Sequence, residues 1–275
     1  MTSRIRRATV AEPTAPGPEQ DREQSLIEHL TELRSRLLRA VAAVIAAFVL
    51  LIPAAGRLYG WLAEPLASRL PNDAQLVAIE VVSPFLTPIK LAFFSALFLA
   101  MPIVLYQLWA FVAPGLYQRE RRLARPLLAA SIVLFYAGCA FAYFLVMPVV
   151  FTFLVGITPP GVTMMTDISR YLDFSLTMFF AFGLSFQVPV ATILIVASGW
   201  MSLQRLRDAR PYVIVGAFVI GAIFTPPDVP SQVMLAMSIW LLFELGLLVA
   251  RLALKPASAP AAMDGTAGKP GDRQP

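Results

Sequence analysis

Six apolar stretches, most of them about as long as a membrane is thick, dominate the sequence. A helix needs about 20 apolar residues to cross the roughly 30 Å hydrocarbon core of a bilayer. The stretches cover residues 37–55, 91–113, 126–150, 174–200, 211–224 and 231–250. The composition agrees, since 58% of the residues are hydrophobic and only 14% are charged. The sequence therefore predicts an all-α polytopic membrane protein with six transmembrane helices.

The last two spans are predicted to be short and closely connected. Span five, residues 211–224, covers only about 21 Å as a helix. Pro226 and Pro227 leave room for no more than a tight hairpin before span six. Residues 1–24 and 256–275 are polar or rich in Ala, Pro and Gly, and are predicted to be flexible tails around a membrane domain at 25–255.

The positive charges indicate the orientation of the spans. Of the 22 Lys and Arg residues, eighteen lie in segments on the side of the N-terminus. The opposite side holds Arg57, Arg69, Lys90 and Arg170. Because short cytoplasmic segments carry an excess of Lys and Arg, both termini are predicted to be cytoplasmic. Residues 11–24 contain no apolar core of a signal peptide, and the absence of a transit peptide favours the inner membrane of a bacterium.

Cysteine and histidine are almost absent, which argues against several kinds of chemistry. Cys139 and His29 are the only residues of these types. Most zinc, haem and histidine-based catalytic sites are thereby excluded. The chain also lacks a glycine-rich phosphate loop and any nucleophile paired with a base. We expect no enzyme activity, no metal, no cofactor and no nucleic-acid partner.

Two carboxylates near the predicted cytoplasmic surface have two interpretations each. Ser25 and Glu28 fit a capping box that begins an amphipathic helix, which is expected to lie along the membrane before turning into span one. On that helix Glu32 either pairs with Arg36, one turn away, or offers its carboxylate to a cation from outside the chain. Glu120 lies in "LYQRERRLARP" and either balances the charge of that basic loop or binds an external cation, since its immediate neighbours cannot face it on a helix.

Three further polar residues lie in or next to the spans. Gln187 in span four, beside Pro189, either makes a hydrogen bond that holds a kink together or has a role in transport. Glu244 in span six is expected to snorkel or pair near the inner end, rather than to lie alone in hydrocarbon. Asp228, after Thr225 and two prolines, is expected to be the N-cap of span six.

Seven motifs, in order along the chain, resemble the TatC family of twin-arginine translocase subunits. They are "HLTELRSRLL", "SPFLTPIKL", "YQLWAFVAPGLYQRERR", "LFYAGCAFAYF", "YLDFSLTMFFAFGLSFQVPV", "RPYVIVGAF" and "TPPDVPSQ". The resemblance covers about residues 25–255. It implies a glove-shaped bundle of six helices whose concave face is turned to the bilayer. It also implies a receptor that binds the twin-arginine signal peptides of folded precursors.

The resemblance also implies partners and site residues. TatC proteins work with TatB-type and TatA-type single-span subunits, self-associate in a larger complex in the lipid membrane, and use the proton-motive force. The signal-peptide site of the family maps onto Glu32, Glu120, Arg34, Phe111, Pro114, Leu116 and Tyr117. Functional positions on or towards the external side map onto Pro65, Pro102 and Asp228. Many relatives carry a glutamate where this chain has Gln187, so a titratable group at that position is not expected here.

A secondary transporter of a small solute is the main alternative function. Span five is short and span four contains a proline, as in transporters with broken helices. However, the sequence shows no inverted repeat, and Glu244 is the only ionisable candidate for a site near the midplane. A solute transporter would therefore lack the polar groups that such a site needs.

Overall fold

The computed structural model describes residues 18–60, 76–112, 124–159, 166–225 and 228–253. Nearly all of them are helical. The helices are α1 Pro18–Leu51, α2 Ser83–Val112, α3 Ala124–Phe141, α4 Met147–Gly156, α5 Ile168–Ser185, α6 Val188–Ala197, α7 Leu203–Asp208, α8 Arg210–Phe224 and α9 Val229–Ala253. A 3₁₀ turn at Ile52–Ala54 and helical residues 55–60 extend α1, and a π-helix at Ala142–Val146 joins α3 to α4.

Six helical segments correspond to the six predicted spans. Five are long and apolar enough to cross a membrane, namely Leu30–Gly60, Ser83–Phe111, Ala124–Gly156, Ile168–Ala197 and Val229–Ala253. The fifth span in sequence, α8, has 15 residues and a length of about 22 Å, so the prediction of a short span five is confirmed. The prediction of a short span six is wrong, because α9 has 25 residues and is about 37 Å long.

The N-terminal helix also differs from its prediction. α1 is one unbroken helix of 34 residues that begins at Pro18, inside the segment predicted to be a flexible tail. Ser25 lies within this helix and not at its N-cap, and no break separates a surface helix from span one. Proline at a first helical position, followed by helix-forming Glu, Gln and Arg, favours the earlier start. A strong local capping signal was therefore overridden by good helix formers on both sides of it.

Close helix contacts occur where one helix carries glycine. A Cβ atom on Gly138 of α3 would lie 2.6 Å from the carbonyl oxygen of Phe182 in α5. A Cβ atom on Gly246 of α9 would lie 2.8 Å from Cβ of Thr192 in α6. Small residues at such positions let helices approach closely, which is how helices associate in lipid without a hydrophobic driving force.

Proline in α2 leaves a backbone acceptor that another helix satisfies. Pro102 lies inside α2 and has no N–H group, so it cannot donate to the carbonyl of Phe98 one turn earlier. The hydroxyl of Tyr136 in α3 donates a hydrogen bond of 2.8 Å to that carbonyl. Pro102 therefore removes one backbone hydrogen bond within span two and leaves its acceptor for a hydrogen bond from span three.

The two longer segments predicted to be external meet in a short parallel pair of strands. β1 Leu76–Val77 pairs with β2 Thr166–Asp167, with Leu76 opposite Thr166 and Val77 opposite Asp167. Nearby, Lys90 Nζ of α2 lies 2.7 Å from Asp173 Oδ1 of α5. Both contacts fix the same ends of spans two and four.

Candidate functional site

Glu32 is paired within α1, but incompletely. Arg36 Nε donates a hydrogen bond of 3.0 Å to Glu32 Oε1, and Arg36 Nη2 donates to the same oxygen. The first interpretation of Glu32, a pair with Arg36, therefore describes this structure. The side chain of Glu32 is 38% exposed, and that of Arg36 is 21% exposed. Among the described residues none donates to Glu32 Oε2.

Arg34, also assigned to the site by the resemblance, points elsewhere. It lies two positions from Glu32, which is about 200° around a helix. Its side chain is exposed, and the described part of the chain offers it no ion pair. The structure thus does not bring Arg34 and Glu32 together.

Of the remaining residues predicted for the signal-peptide site, Phe111 lies within the described part of the chain. Phe111 is half-buried in the last turn of α2, which ends at Val112. Pro114, Leu116, Tyr117 and Glu120, together with Pro65 in an earlier segment, lie outside the described residues. Their assignment stays a prediction.

Near the end of α2, three polar side chains connect spans two, three and four. Ser131 Oγ of α3 donates to Gln187 Oε1 at 2.5 Å, and Gln187 Nε2 donates back to the carbonyl oxygen of Ser131 at 2.9 Å. Trp109 Nε1 of α2 donates to Ser131 Oγ at 3.2 Å. Trp109 is 6% exposed and Ser131 is 1% exposed. We name these three residues the clamp.

Gln187 therefore has a structural partner in span three. It lies between α5 and α6, where Pro189 prevents a continuous helix, and its hydrogen bonds reach across to Ser131. The sequence analysis missed Trp109 and Ser131. The available signal was that a buried indole N–H and a buried hydroxyl each need a hydrogen-bond partner.

Glu244 is paired, as expected. Arg210 Nη2 donates to Glu244 Oε2 at 2.7 Å, and Arg210 Nε lies 2.7 Å from Glu244 Oε1. This two-pronged geometry uses both oxygens of the carboxylate. It joins the beginning of α8 to the second half of α9, so Glu244 is not an isolated charge in hydrocarbon.

Asp228 begins α9 as predicted. Its Oδ1 atom accepts a hydrogen bond of 2.8 Å from the backbone N–H of Ser231. This bond satisfies one of the free N–H groups at the helix start. With Asp228 as its cap, α9 starts at Val229, two residues before the apolar stretch at 231–250 that was predicted to be span six.

Two features of the described residues bear on whether they hold a metal or a solute site. No group of three or more His, Cys, Asp or Glu residues that could hold a metal lies in the described ranges. One open groove of about 290 Å³ lies between spans two, three and four, and is lined by Phe98, Tyr136, Cys139, Ala140, Tyr143, Phe144 and Phe179. Its surface is almost wholly apolar, as expected for a face that contacts lipid or another helix.

Known proteins resemble the chain over most of its length. The family model "Sec-independent protein translocase protein (TatC)" matches residues 28–237. The protein of the same name from Azotobacter chroococcum mcd 1 is 54% identical over 248 residues, which are 90% of this chain and 97% of the relative. The one from Escherichia coli (strain K12) is 51% identical over 228 residues, covering 83% and 88% of the two chains.

A solved structure shows the same fold. The crystal structure of the "Twin Arginine Translocase Receptor- TatC" superposes with a TM-score of 0.73 at 35% identity, covering 82% of this chain and 99% of the other. The predicted all-helical fold of TatC type is confirmed, and the alternative of a small-solute transporter finds no support. With a family model that spans most of the residues and relatives that share half of them, the chain belongs to the TatC family of Sec-independent protein translocase subunits.

Proposed function

We propose that this multi-pass membrane protein is the receptor of its translocase for twin-arginine signal peptides. It binds the peptide of a folded precursor at its cytoplasmic face and nucleates an export complex with TatB-type and TatA-type subunits. The proton-motive force drives export, and the protein itself performs no enzyme reaction. The observation that carries the proposal is the half-occupied carboxylate of Glu32 on α1.

Glu32 provides chemistry that selects arginine. A guanidinium group binds both oxygens of a carboxylate through a planar fork, whereas the ammonium of lysine is a point charge. Arg36 uses only Oε1 of Glu32, so an arriving arginine contacts Oε2 first and then competes with Arg36 for Oε1. Arg36 acts in this proposal as an internal substitute that keeps the carboxylate oriented until the peptide arrives.

Glu120 is the proposed second carboxylate. It lies among Arg119, Arg121, Arg122 and Arg125, which hold the loop at an anionic membrane surface. Two acids within a basic rim match the two arginines of the peptide. Because Glu32 is more than a third exposed, the two contacts together contribute no more than about 1–3 kcal/mol after solvent screening.

The charge pattern supports the proposed orientation. Eighteen of 22 Lys and Arg residues fall on the side of both termini. We therefore place both termini in the cytoplasm. The bacterial relatives support the inner membrane of a bacterium as the proposed location. Residues 25–255 form the membrane domain in this proposal, although α1 begins at Pro18 within the predicted N-terminal tail.

Peptide binding to the purified protein in nanodiscs tests the proposal. A labelled signal peptide with Arg-Arg is compared with its Lys-Lys counterpart on the wild type and on Glu32→Gln, Glu120→Gln and Arg36→Gln. The matched control is Glu80→Gln, which removes an exposed carboxylate on the predicted opposite side. We expect the wild type and the control to prefer Arg-Arg. The two site variants should lose the preference, while Arg36→Gln should bind more tightly because its competitor is gone.

The outcomes separate the parts of the proposal. A wild type that binds both peptides equally well would contradict the receptor function of this chain alone. A wild type that discriminates, with Glu32→Gln and Glu120→Gln discriminating equally, would keep the receptor function but move the arginine site elsewhere. If Arg36→Gln bound more weakly, Arg36 would belong to the site itself and would not be a competitor.

A further inference from the structure

The clamp connects the two helix ends that flank the proposed recognition segment. Trp109 lies in the last turns of α2, just before residues 113–123, and Ser131 lies in the first half of α3, just after them. The segment between these helices carries Glu120 in the sequence. Any side chain that fixes α2 against α3 here therefore fixes both ends of that segment.

Apolar packing supports the same connection. Trp109 belongs to a buried cluster with Leu127 of α3, Val190 and Ile193 of α6, and Ala250 of α9. The cluster surrounds the indole ring, which leaves its N–H group as the part that needs a specific acceptor. Ser131 Oγ provides that acceptor at 3.2 Å.

The three polar groups of the clamp depend on one another. The hydroxyl of Ser131 has a single proton, which it donates to Gln187 Oε1 in a hydrogen bond of 2.5 Å. Ser131 Oγ must therefore accept from Trp109, and Gln187 Nε2 must donate to the carbonyl of Ser131. Removing the Ser131 hydroxyl therefore leaves the indole N–H of Trp109 and Oε1 of Gln187 without a partner, while Gln187 Nε2 keeps its bond to the backbone carbonyl of Ser131. A neutral amide meets this pattern, because it offers one donor and one acceptor at the same time.

We propose that Trp109, Ser131 and Gln187 are positioning residues for signal-peptide recognition. They hold the ends of α2 and α3 against span four, so that the two helix ends that flank the segment carrying Glu120 keep a fixed separation. The proposal rests on the proposed receptor function for its consequence in peptide binding. Its mechanical part, the restraint of the two helix ends, does not depend on that function.

Substitutions of the central hydroxyl test the proposal. Ser131→Ala removes it, Ser131→Thr retains it, and Trp109→Phe removes only the indole donor. The matched control is Ser185→Ala, because Ser185 is a buried serine of α5 whose hydroxyl bonds to Ala181 of its own helix at 2.6 Å. The two alanine variants lose hydroxyls of similar burial, but only one hydroxyl joins different spans.

Two measurements are made on each full-length variant in nanodiscs. Amide hydrogen exchange of residues 113–123 reports the restraint directly, without any peptide. Binding of the Arg-Arg peptide reports its consequence. We expect Ser131→Ala, which removes two hydrogen bonds, to speed exchange in this segment and to weaken binding by about threefold or more, since the loss of one ordinary hydrogen bond alone gives about three- to tenfold. Ser131→Thr should restore both values, and Ser185→Ala should change neither by more than about twofold.

The double variant adds a further test. Because Trp109→Phe and Ser131→Ala remove the same indole–hydroxyl bond, their effects on exchange should not add.

Equal exchange in Ser131→Ala and Ser185→Ala would overturn the proposal. Faster exchange with unchanged Arg-Arg binding would show that the restraint exists but does not serve recognition, which also overturns it. A wild type without Arg-Arg preference would refute the receptor function while the exchange result still decides the restraint.

Discussion

The hydroxyl of Tyr136 should stabilise the protein only as long as residue 102 is proline. The hydroxyl of Tyr136 donates a hydrogen bond of 2.8 Å to the carbonyl oxygen of Phe98. That carbonyl has no partner within α2, because Pro102 has no N–H group. Tyr136→Phe removes the donor and keeps the ring. In Pro102→Ala the backbone N–H of the new alanine reaches the same carbonyl, so the hydroxyl becomes dispensable.

The expected magnitude follows from the cost of one hydrogen bond in a membrane. A neutral hydrogen bond contributes about 0.5–1.5 kcal/mol net, and measured pairs between membrane helices average about 0.6 kcal/mol. Tyr136→Phe also leaves a carbonyl in hydrocarbon, so we expect a cost of about 1 kcal/mol. In the Pro102→Ala background the same substitution should cost less than about 0.3 kcal/mol, which corresponds to a coupling of roughly 0.7 kcal/mol.

Reversible unfolding in mixed detergent micelles measures the four free energies of this cycle. Tyr106→Phe is the control, because Tyr106 is an exposed tyrosine of α2 whose hydroxyl has no hydrogen bond within the described part of the chain. It should change the free energy of unfolding by less than about 0.5 kcal/mol. If Tyr136→Phe costs the same in both backgrounds, the hydroxyl does not compensate for the proline and the argument is wrong.

Substitutions at four other positions test the helix packing, the ion pair between spans and the cap of α9. Gly138→Ala should destabilise by about 1–3 kcal/mol, because its Cβ would lie 2.6 Å from a backbone oxygen. Gly216→Ala, with nothing within 4 Å of the added Cβ, should be neutral or slightly stabilising by thermal unfolding. Glu244→Gln should cost at most about 1 kcal/mol, since Arg210 is 47% exposed, and the cost should vanish in an Arg210→Gln background. Asp228→Ala should lower the free energy of unfolding by about 1 kcal/mol, and Asp228→Asn by much less, because asparagine also caps helices well. Equal losses in the two variants would exclude the capping function.

Local sequence patterns were sufficient for the spans and insufficient for the contacts between them. Apolar length predicted six helices because backbone groups in hydrocarbon must be satisfied within the helix itself. The Asp228 cap was predictable because it bonds to a residue three positions away. The pair of Arg210 with Glu244 and the bond of Ser131 with Gln187 join residues 34 and 56 positions apart, and no periodicity indicates such partners.

The start of α1 shows a different limit of sequence reasoning. Ser25 and Glu28 form a valid capping signal, yet the helix extends through them to Pro18. A capping box lowers the free energy of one particular helix start, by about 1 kcal/mol. It does not forbid further helix when the preceding residues are themselves good helix formers, as Glu19, Gln20 and Glu23 are.

A polar side chain whose donors and acceptors are already paired within the bundle is structural. A side chain with an unpaired atom is a candidate for binding a ligand. Gln187 uses both its amide oxygen and its amide nitrogen within the bundle, and Glu244 uses both its carboxylate oxygens. Binding an external ligand at either residue would first break an existing bond between spans. Within the described part of the chain, Glu32 has one oxygen with no donor, and the hydrogen bonds to its other oxygen come from the flexible side chain of Arg36 one turn away. Binding a cation from another protein at Glu32 would cost one partly exposed pair within a single helix, whereas at Glu244 it would cost a pair between spans, which favours Glu32 as the contact for the peptide.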